Sequence, residues 1–229
     1  GDAVVVPAKG DPGYTEISFV PDLPRFEMSH LDEDTLLMMR KRCVDIAAAN
    51  PGVEVHFNGS VYKFPSFQEY CKLHTSELVV YAEDPTGRWK VGIAPATTGA
   101  FQQRSFVNSV DTIDGGTHVE SVMNQISSWI RSRIERKHKV DVKPSELRGH
   151  FWLFVQATVE NPSFSSQTKE KLITDSKNFG SRFEMSEKDL KTIFESEIIQ
   201  RVLDWANQKK LAEERKELRD LNKKAQKAK

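Results

Sequence analysis

The stretch FWLFV, residues 151–155, is apolar at every position and lies between the polar residues His150 and Gln156. A strand with one face in water alternates between apolar and polar residues, so this unbroken run predicts a central strand covered on both faces. A helical pattern of apolar residues precedes it, at Val119, Val122, Ile126, Ile130 and Ile134. Strands, helix and strand in this order predict a mixed α/β fold, an α+β two-layer sandwich with helices packed on one sheet.

Weaker signals predict further elements around this unit. Two alternating segments flank Asn58-Gly59, a pair that tolerates positive φ and therefore predicts a hairpin. Further strands are predicted at 78–82, 88–94 and 102–110, and helices at 32–49 and 67–74. A turn is predicted at 11–13, and residues 160–182 are predicted to form loops.

Two helix starts carry capping signals. Thr117 is predicted as an N-cap with Glu120 three residues later, which completes a capping box. Ser186 is predicted to cap a second helix that continues through Trp205. Beyond that residue the apolar positions thin out among dense charge, which predicts a long, solvated C-terminal helix.

Composition limits the class of protein. The chain has 229 residues, a mass of 26.1 kDa, 38% hydrophobic residues and a formal net charge of zero. No apolar run long enough for a membrane span and no signal peptide is present, so we expect a soluble intracellular protein without membrane contact. Cys43 and Cys71 provide no disulfide framework and are expected to be reduced.

Positive charge is concentrated in one short stretch. Between Arg131 and Lys143 there are six Lys and Arg residues against two acids, so 6 − 2 gives +4. Cations at a helix C-terminus are favoured by the helix dipole, which is one interpretation of this stretch. Binding of a polyanion is the other interpretation, and both can hold together.

Sequence motifs for a self-contained enzyme are absent. Neither a P-loop nor a G-x-G-x-x-G motif occurs, and no histidines lie at the spacing of metal ligands. The acidic run 32–34 lies at a helix start, where carboxylates act as caps, so no metal site is predicted. His74, His118 and His150 lack a nucleophile in a recognisable context.

The loop at 161–170 carries the most informative polar residues. Pro162 and small polar residues after a buried strand predict an exposed loop, with Gln167 and Lys169 projecting on the same side. An ammonium group and an amide together suit a terminal phosphate. An ordinary surface loop with a solvated lysine is the alternative.

Three ordered motifs resemble the eukaryotic-type DNA topoisomerase II family. Residues 101–110, FQQRSFVNSV, are followed by GGTHV at 115–119 and by ENPSFSSQTKE at 160–170. Residues 19–23, FVPDL, and Phe26 also match, and the similarity extends from about Tyr14 to Trp205. Val119 after Gly-Gly-Thr-His favours the eukaryotic-type branch, which includes viral and phage enzymes.

The resemblance implies a fold and a domain organisation. Residues 28–185 would form a transducer domain similar to domain 2 of ribosomal protein S5, including the loop at 161–180. Residues 1–27 would join it to a preceding ATP-binding domain, and residues 186–229 would form a C-terminal helix or connector. The chain is expected to be a fragment without activity of its own.

The resemblance also implies a nucleotide site that this chain completes. Gln167, Thr168 and Lys169 would contact the γ-phosphate of ATP held, with Mg, mainly by the preceding domain. Lys169 would act catalytically by neutralising charge on that phosphate. Loss of the phosphate would release these contacts and let the transducer rotate.

A DNA contact is implied as well, through Arg136, Lys137, Lys139 and Lys143. Three phosphate contacts would give a log-affinity slope against log salt of about −2 to −3. The expected partners are duplex DNA, the ATP-binding, metal-binding and cleavage domains of the same enzyme, and a second subunit in a dimeric assembly. The location would be the nucleus in a eukaryote, or the host cytoplasm or nucleoid for a virus or phage. The alternative is a nonenzymatic module that binds DNA or a partner through its basic residues.

Overall fold

The computed structural model describes the backbone of residues 15–227 and the side chains of residues 15–221. The chain divides into two compact units, Gly1–Met39 and Arg40–Lys229. The described part of the first unit contains a 3-10 turn, Leu23–Phe26, and the start of the first helix. The turn predicted at 11–13 and the first half of the predicted junction at 1–27 lie outside the described residues.

Six helices and seven strands make up the described chain, apart from 3-10 turns at Leu23–Phe26 and Ser176–Asn178. The helices are α1 (Glu33–Ala49), α2 (Phe67–His74), α3 (Thr117–His138), α4 (Pro144–Arg148), α5 (Glu187–Glu195) and α6 (Glu197–Lys227). The strands are β1 (Val55–Phe57), β2 (Ser60–Tyr62), β3 (Val80–Glu83), β4 (Trp89–Pro95), β5 (Gln102–Val107), β6 (Val110–Asp111) and β7 (Phe151–Ala157).

Five strands form the main sheet, in the order β3-β4-β7-β5-β6. Strand β7 pairs antiparallel with β4 and parallel with β5, so it has a partner on each side. This confirms the central strand predicted from the apolar run at 151–155. A parallel pair needs a crossover connection, and α3 lies in the segment that joins β5 to β7.

Both faces of the sheet are covered, as the lack of alternation in β7 predicts. Leu153 and Val155 join the large core cluster, which includes buried residues of α3, α5 and α6. Phe154 points to the other face and joins a smaller cluster with Phe67 and Tyr70 of α2. The predicted mixed α/β fold with a long C-terminal helix is confirmed, and α2 adds a small layer that the two-layer description did not include.

The hairpin turn and two helix caps, whose partners lie within a few residues in sequence, were predicted correctly. The hairpin β1–β2 turns at Asn58 and Gly59, with φ values of 47° and 79°. The Ser186 hydroxyl accepts a hydrogen bond from the backbone N–H of Asp189, so the predicted cap of α5 is present. Asp32 accepts from the backbone N–H of Thr35 at 2.9 Å, which is the capping role expected of the acidic run.

Three predicted elements differ in the structure. The strand predicted at 102–110 breaks after Val107, because Asn108 and Ser109 take positive φ values and form a turn between β5 and β6. The helix predicted from Ser186 through Trp205 is interrupted at Ser196, whose extended backbone separates α5 from α6. Thr117 is not an N-cap, because Gly116 takes that position and makes no side-chain cap.

Candidate functional site

The loop that carries Gln167, Thr168 and Lys169 is a small hairpin closed by backbone hydrogen bonds. The N–H of Ile173 donates to the carbonyl of Ser163 at 2.9 Å, and the N–H of Ser165 donates to that of Lys171 at 3.0 Å. The three predicted nucleotide-binding residues all lie at its exposed tip.

The tip itself is a tight turn rather than an extended segment. The backbone N–H of Lys169 donates to the carbonyl of Ser166 at 3.1 Å, and Lys169 has a φ of 61°. The hydroxyl groups of Ser166 and Thr168 lie 2.7 Å apart. The prediction that alternate residues project on one side therefore does not apply, although Gln167 and Lys169 are both exposed.

Lys169 carries an uncompensated positive charge. Among the side chains that the structure describes, no carboxylate lies within salt-bridge distance of its ammonium group. The Nζ atom lies 5.9 Å from the centre of the Phe164 ring, a contact that leaves the charge in place. The three N–H donors of Lys169 are therefore available to an anionic ligand.

The base of this loop is attached to the first turn of α3 through Leu172, an attachment that we call the clasp. Leu172 donates to the carbonyl of Gly115 at 3.0 Å, and its own carbonyl accepts from the N–H of Thr117 at 3.1 Å. Just before these residues in both segments, the N–H of Asp114 donates to the carbonyl of Glu170 at 3.0 Å.

Only glycine fits at the centre of the clasp. Gly116 has a φ of 135°, a conformation that residues with a Cβ rarely adopt. A Cβ atom at this position would overlap the backbone oxygen and nitrogen of Leu172. The motif GGTHV and the loop motif are thus two sides of one contact, which the sequence alone did not reveal.

The FVNS motif holds the other end of the loop. Asn108 lies in a left-handed turn, and its side chain both donates to the carbonyl of Val159 and accepts from the N–H of Val159, each at 2.9 Å. Val159 lies two residues beyond the end of β7, where the chain continues toward the loop. A further backbone bond, from Glu160 to Phe179 at 3.0 Å, closes the wider segment. All three motifs therefore meet around this loop.

A buried polar cluster lies next to the clasp. His118 is fully buried, and its Nε2 lies 3.2 Å from the hydroxyl of Thr112, which in turn bonds Ser105. Burial lowers the pKa of His118 to about 3, so its ring is neutral at pH 7. Its Nδ1 atom and the hydroxyl of Thr117 have no hydrogen-bond partner among the described residues. His118 is a core residue of this end of the molecule.

Glu120 is occupied by an ion pair instead of by a cap. Its carboxylate accepts two hydrogen bonds from the guanidinium of Arg148, at 2.6 and 2.5 Å. The Arg148 group lowers the pKa of Glu120 and also lies 4.1 Å from the centre of the Phe101 ring. The first turn of α3 is thereby tied to the segment that enters β7.

The predicted DNA-binding residues lie at the opposite end of α3. Arg136 bonds only the backbone and hydroxyl oxygens of Ser132, one turn earlier in the same helix. Lys139 ends α3 in a left-handed conformation, and Lys143 precedes α4. These three residues and Lys137 are exposed, and none has a carboxylate partner among the described side chains. We call these four residues the basic surface.

Helix α3 separates the two candidate sites. It has 22 residues, which corresponds to a length of about 33 Å at the rise of an α-helix. The loop tip is therefore attached to one end of a single rigid element, and the basic surface lies at the other end.

The described acidic, histidine and cysteine side chains gather into no metal site. Within residues 15–221, no group of three or more His, Cys, Asp or Glu side chains gathers in a way that could hold a metal ion. Cys43 and Cys71 are both free thiols, and burial raises the pKa of Cys71 to about 12. No described helix has the length and apolar character needed to cross a bilayer.

These features define a class of protein, a mixed α/β domain in which one helix lies between an exposed lysine loop and a cationic surface. The family model for DNA gyrase B matches residues 64–221. This range contains the main sheet, the loop and the basic surface. The chain therefore belongs to the DNA gyrase B family, and the part it matches is the transducer segment in the ATPase region of type II DNA topoisomerases.

Named relatives agree with this family. The chain is 38% identical over 203 residues to DNA topoisomerase 2 of Drosophila melanogaster, covering 84% of this chain and 14% of the relative. It is 37% identical over 229 residues to DNA topoisomerase 2 top-2 of Caenorhabditis elegans, covering 96% of this chain and 14% of the relative. The chain thus spans about one seventh of the length of these curated relatives.

Solved structures agree as well. The ATPase region of Saccharomyces cerevisiae topoisomerase II superposes with a TM-score of 0.73 at 38% identity, covering 82% of this chain and 48% of that one. The ATPase and transducer domains of DNA topoisomerase II from Balamuthia mandrillaris give 0.77 at 36% identity, covering 83% and 49%. The B-subunit of DNA gyrase from Myxococcus xanthus shares the fold, with a TM-score of 0.54 at 19% identity, covering 81% and 56%.

Proposed function

We propose that this chain relays nucleotide state to DNA in an ATP-dependent type II DNA topoisomerase. The observation that carries the proposal is the clasp, which fixes the exposed lysine loop to one end of α3 while the basic surface lies at the other end. In this role the chain completes an ATP site in a neighbouring domain and does not hydrolyse ATP alone. Passage of one DNA duplex through another is the activity of the whole enzyme.

At the nucleotide end, Lys169 would supply a point charge to the γ-phosphate of ATP. The ammonium group is exposed and unpaired among the described residues, so no ion pair has to break before a phosphate binds. The Gln167 amide would donate to a phosphate oxygen as a neutral group. Thr168 shares its hydroxyl with Ser166, which supports the shape of the tip turn around the nucleotide. Mg bound with ATP would be held mainly outside this segment.

At the other end, the basic surface would contact the phosphates of duplex DNA. Arg136, Lys137, Lys139 and Lys143 are exposed cations without carboxylate partners among the described residues, which is the condition for strong attraction to a polyanion. Contacts to phosphates position DNA without reading its sequence. We therefore expect binding that depends on salt and is nearly independent of sequence.

The remaining assignments follow from the proposed enzyme. Its other partners would be the ATP-binding, metal-binding and cleavage domains, and a second subunit in a dimeric assembly. Similarity to DNA topoisomerase 2 of animals and plants favours the nucleus as the location. The domain boundaries at 27 and 185 remain part of this proposal.

The test is Lys169→Ala in the full-length enzyme that carries this segment. Loss of one charged donor at a developing phosphate charge is expected to slow ATP turnover by roughly a hundredfold or more. ATP-dependent DNA relaxation should fall in parallel, while ATP-independent DNA cleavage should remain. Lys171→Ala is the matched control, since Lys171 is an exposed lysine on the same hairpin but outside its tip turn. Equal turnover in both variants would defeat the proposed role of Lys169.

A second candidate function is a nonenzymatic module that binds DNA or a protein partner. The unpaired cations of the basic surface favour it, because they suit an anionic partner with or without a nucleotide. Under this alternative, replacing Arg136, Lys137, Lys139 and Lys143 by Gln abolishes function while Lys169→Ala is silent. The same pair of variants therefore separates the two candidates.

A further inference from the structure

A groove of about 420 Å³ lies between α3 and α5, beside the basic surface. Trp129, Arg133 and Lys137 line it from α3, and Lys191 and Phe194 line it from α5. Two of these residues, Arg133 and Lys191, were not among the predicted DNA contacts. We call this feature the α3/α5 groove.

Aromatic rings hold two of its cations in place. The guanidinium carbon of Arg133 lies 4.9 Å from the centre of the Trp129 ring, and the ammonium of Lys137 lies 5.5 Å from the centre of the Phe194 ring. The two rings pack edge to face, with centres 6.1 Å apart. A ring orients a cation without cancelling its charge, so both side chains keep their net charge.

The charge of the groove is strongly positive. Its described lining contains Arg133, Arg136, Lys137 and Lys191 against a single acid, Glu195, so 4 − 1 gives +3. Lys191 has an exposed ion pair with Glu187 at 3.0 Å, and Arg133 also acts on this carboxylate by lowering its pKa, so with Glu187 included 4 − 2 gives a net charge of +2. Exposed pairs are weak, so Lys191 can exchange this carboxylate for a phosphate at little cost.

We propose that the α3/α5 groove binds the phosphodiester backbone of duplex DNA and adds Arg133 and Lys191 to the DNA contact. The proposal rests on the DNA contact proposed above, because Arg136 and Lys137 belong both to the basic surface and to this groove. DNA fits better than an acidic protein segment, since the basic surface continues the positive charge beyond the groove to Lys139 and Lys143. The rings orient cations here, so no base stacking and no sequence preference is expected.

The first test measures binding of the chain to a short labelled duplex by fluorescence anisotropy over a range of salt concentrations. Each phosphate contact contributes about 0.9 to the slope of log affinity against log salt, so the double variant Arg133→Gln/Lys191→Gln should lower the slope by about 2. Its affinity at about 0.1 M salt should fall roughly tenfold or more. Arg40→Gln is the matched control, because Arg40 is also an arginine over a ring, at 6.0 Å from the centre of the Tyr62 ring, but is exposed and lies on α1.

The second test separates the shape of the groove from its charge. Phe194→Leu keeps the charge and most of the apolar volume but removes the ring that orients Lys137. DNA affinity should fall roughly two- to fivefold, the usual size of an exposed cation–π contact, while the salt slope stays unchanged. An unchanged affinity in this variant would overturn the proposed orienting role of the rings.

The results of these tests separate a failure of the groove proposal from a failure of the proposed DNA contact. If Arg136→Gln/Lys137→Gln weakens DNA binding but Arg133→Gln/Lys191→Gln does not, the groove proposal fails and the DNA contact stands. If neither double variant changes binding, both fail. If labelled poly-glutamate binds the wild type more tightly than the duplex does, and Arg133→Gln/Lys191→Gln removes that preference, the occupant is an acidic peptide and the DNA assignment is overturned.

Discussion

The two ends of α3 are built on different physical principles. At the loop end, the base of the exposed loop is fixed by backbone hydrogen bonds in the clasp between the buried residue Leu172 and residues 115–117. At the other end, the four residues of the basic surface are exposed, and Arg136 hydrogen-bonds only to Ser132 of the same helix. The first end is fixed by steric fit, whereas the charged groups at the second end are exposed and make only weak contacts, such as that of Lys137 with the ring of Phe194.

This difference has consequences for what each end tolerates. Steric fit admits few substitutions, because a single added methyl group must find space. A cluster of solvated cations tolerates exchange of Lys and Arg, because phosphate attraction depends mainly on the number of charges. We therefore expect changes at the loop end to alter stability, and changes at the basic end to alter binding.

The largest effect is expected for Gly116→Ala. The new Cβ would overlap the backbone of Leu172 at a φ that alanine adopts only under strain, and the expected loss is about 2 to 4 kcal/mol of unfolding free energy. Urea unfolding of the chain measures it. Gly87→Ala is the control, since Gly87 also has a positive φ of 71° but faces open space, and it should cost about 1 kcal/mol. Equal losses in the two variants would show that the clasp is not tightly packed.

A smaller effect, dependent on pH, is expected for His118→Gln. Burial depresses the folded-state pKa to about 3, below the ordinary value of 6.5, so the stability from the neutral ring is complete above pH 6.5. It is lost as the pH falls, by at most about 1.4 kcal/mol per pH unit, because only the unfolded chain takes up the proton.

Unfolding measurements at neutral and acid pH test this prediction by difference. Burial also lowers the pKa values of His74 and His150, so the wild-type profile contains their contributions too. Between pH 6.5 and pH 5 the wild type should lose about 2 kcal/mol more than His118→Gln. Parallel profiles for the two proteins would mean that His118 takes up a proton in the folded state.

The smallest effect on stability is expected for Arg136→Gln. Its only described partners are oxygens of Ser132, and exposed contacts of this kind contribute little, so the change should stay within about 0.5 kcal/mol. The salt slope of DNA binding should nevertheless fall by about 1. A loss of stability comparable to that of Gly116→Ala would contradict the contrast between the two ends.

Elements whose signals and partners are close in sequence could be predicted from the sequence. Asn58-Gly59 requires only its own backbone to turn, and Ser186 reaches a residue three positions away. The unbroken apolar run at 151–155 predicts burial of both faces of the strand without any information about distant residues. The exposed loop with Lys169 and the basic surface were likewise predictable from polar composition, because exposure needs no partner.

Contacts between distant residues could not be predicted in this way. Thr117 and Glu120 satisfy the local pattern of a capping box, but the N–H of Thr117 is taken by Leu172, and the Glu120 carboxylate by Arg148. Leu172 and Arg148 both lie far from the first turn of α3 in sequence, and their bonds form in place of the capping bond between the Glu120 carboxylate and the N–H of Thr117. The Gly-Gly pair before α3 was the available sign that a backbone passes close to this position.

The proposed function requires α3 to link a nucleotide-sensing loop to a DNA-contacting surface. The most direct test is the change in duplex DNA affinity that a nonhydrolysable ATP analogue causes in the full-length enzyme. We expect a clear change in wild type and in Arg40→Gln. In Lys169→Ala and Gly116→Ala this change should be lost, while DNA affinity in the absence of nucleotide is preserved. A Lys169→Ala enzyme whose DNA affinity still responds to the analogue as the wild type does would contradict the proposed function.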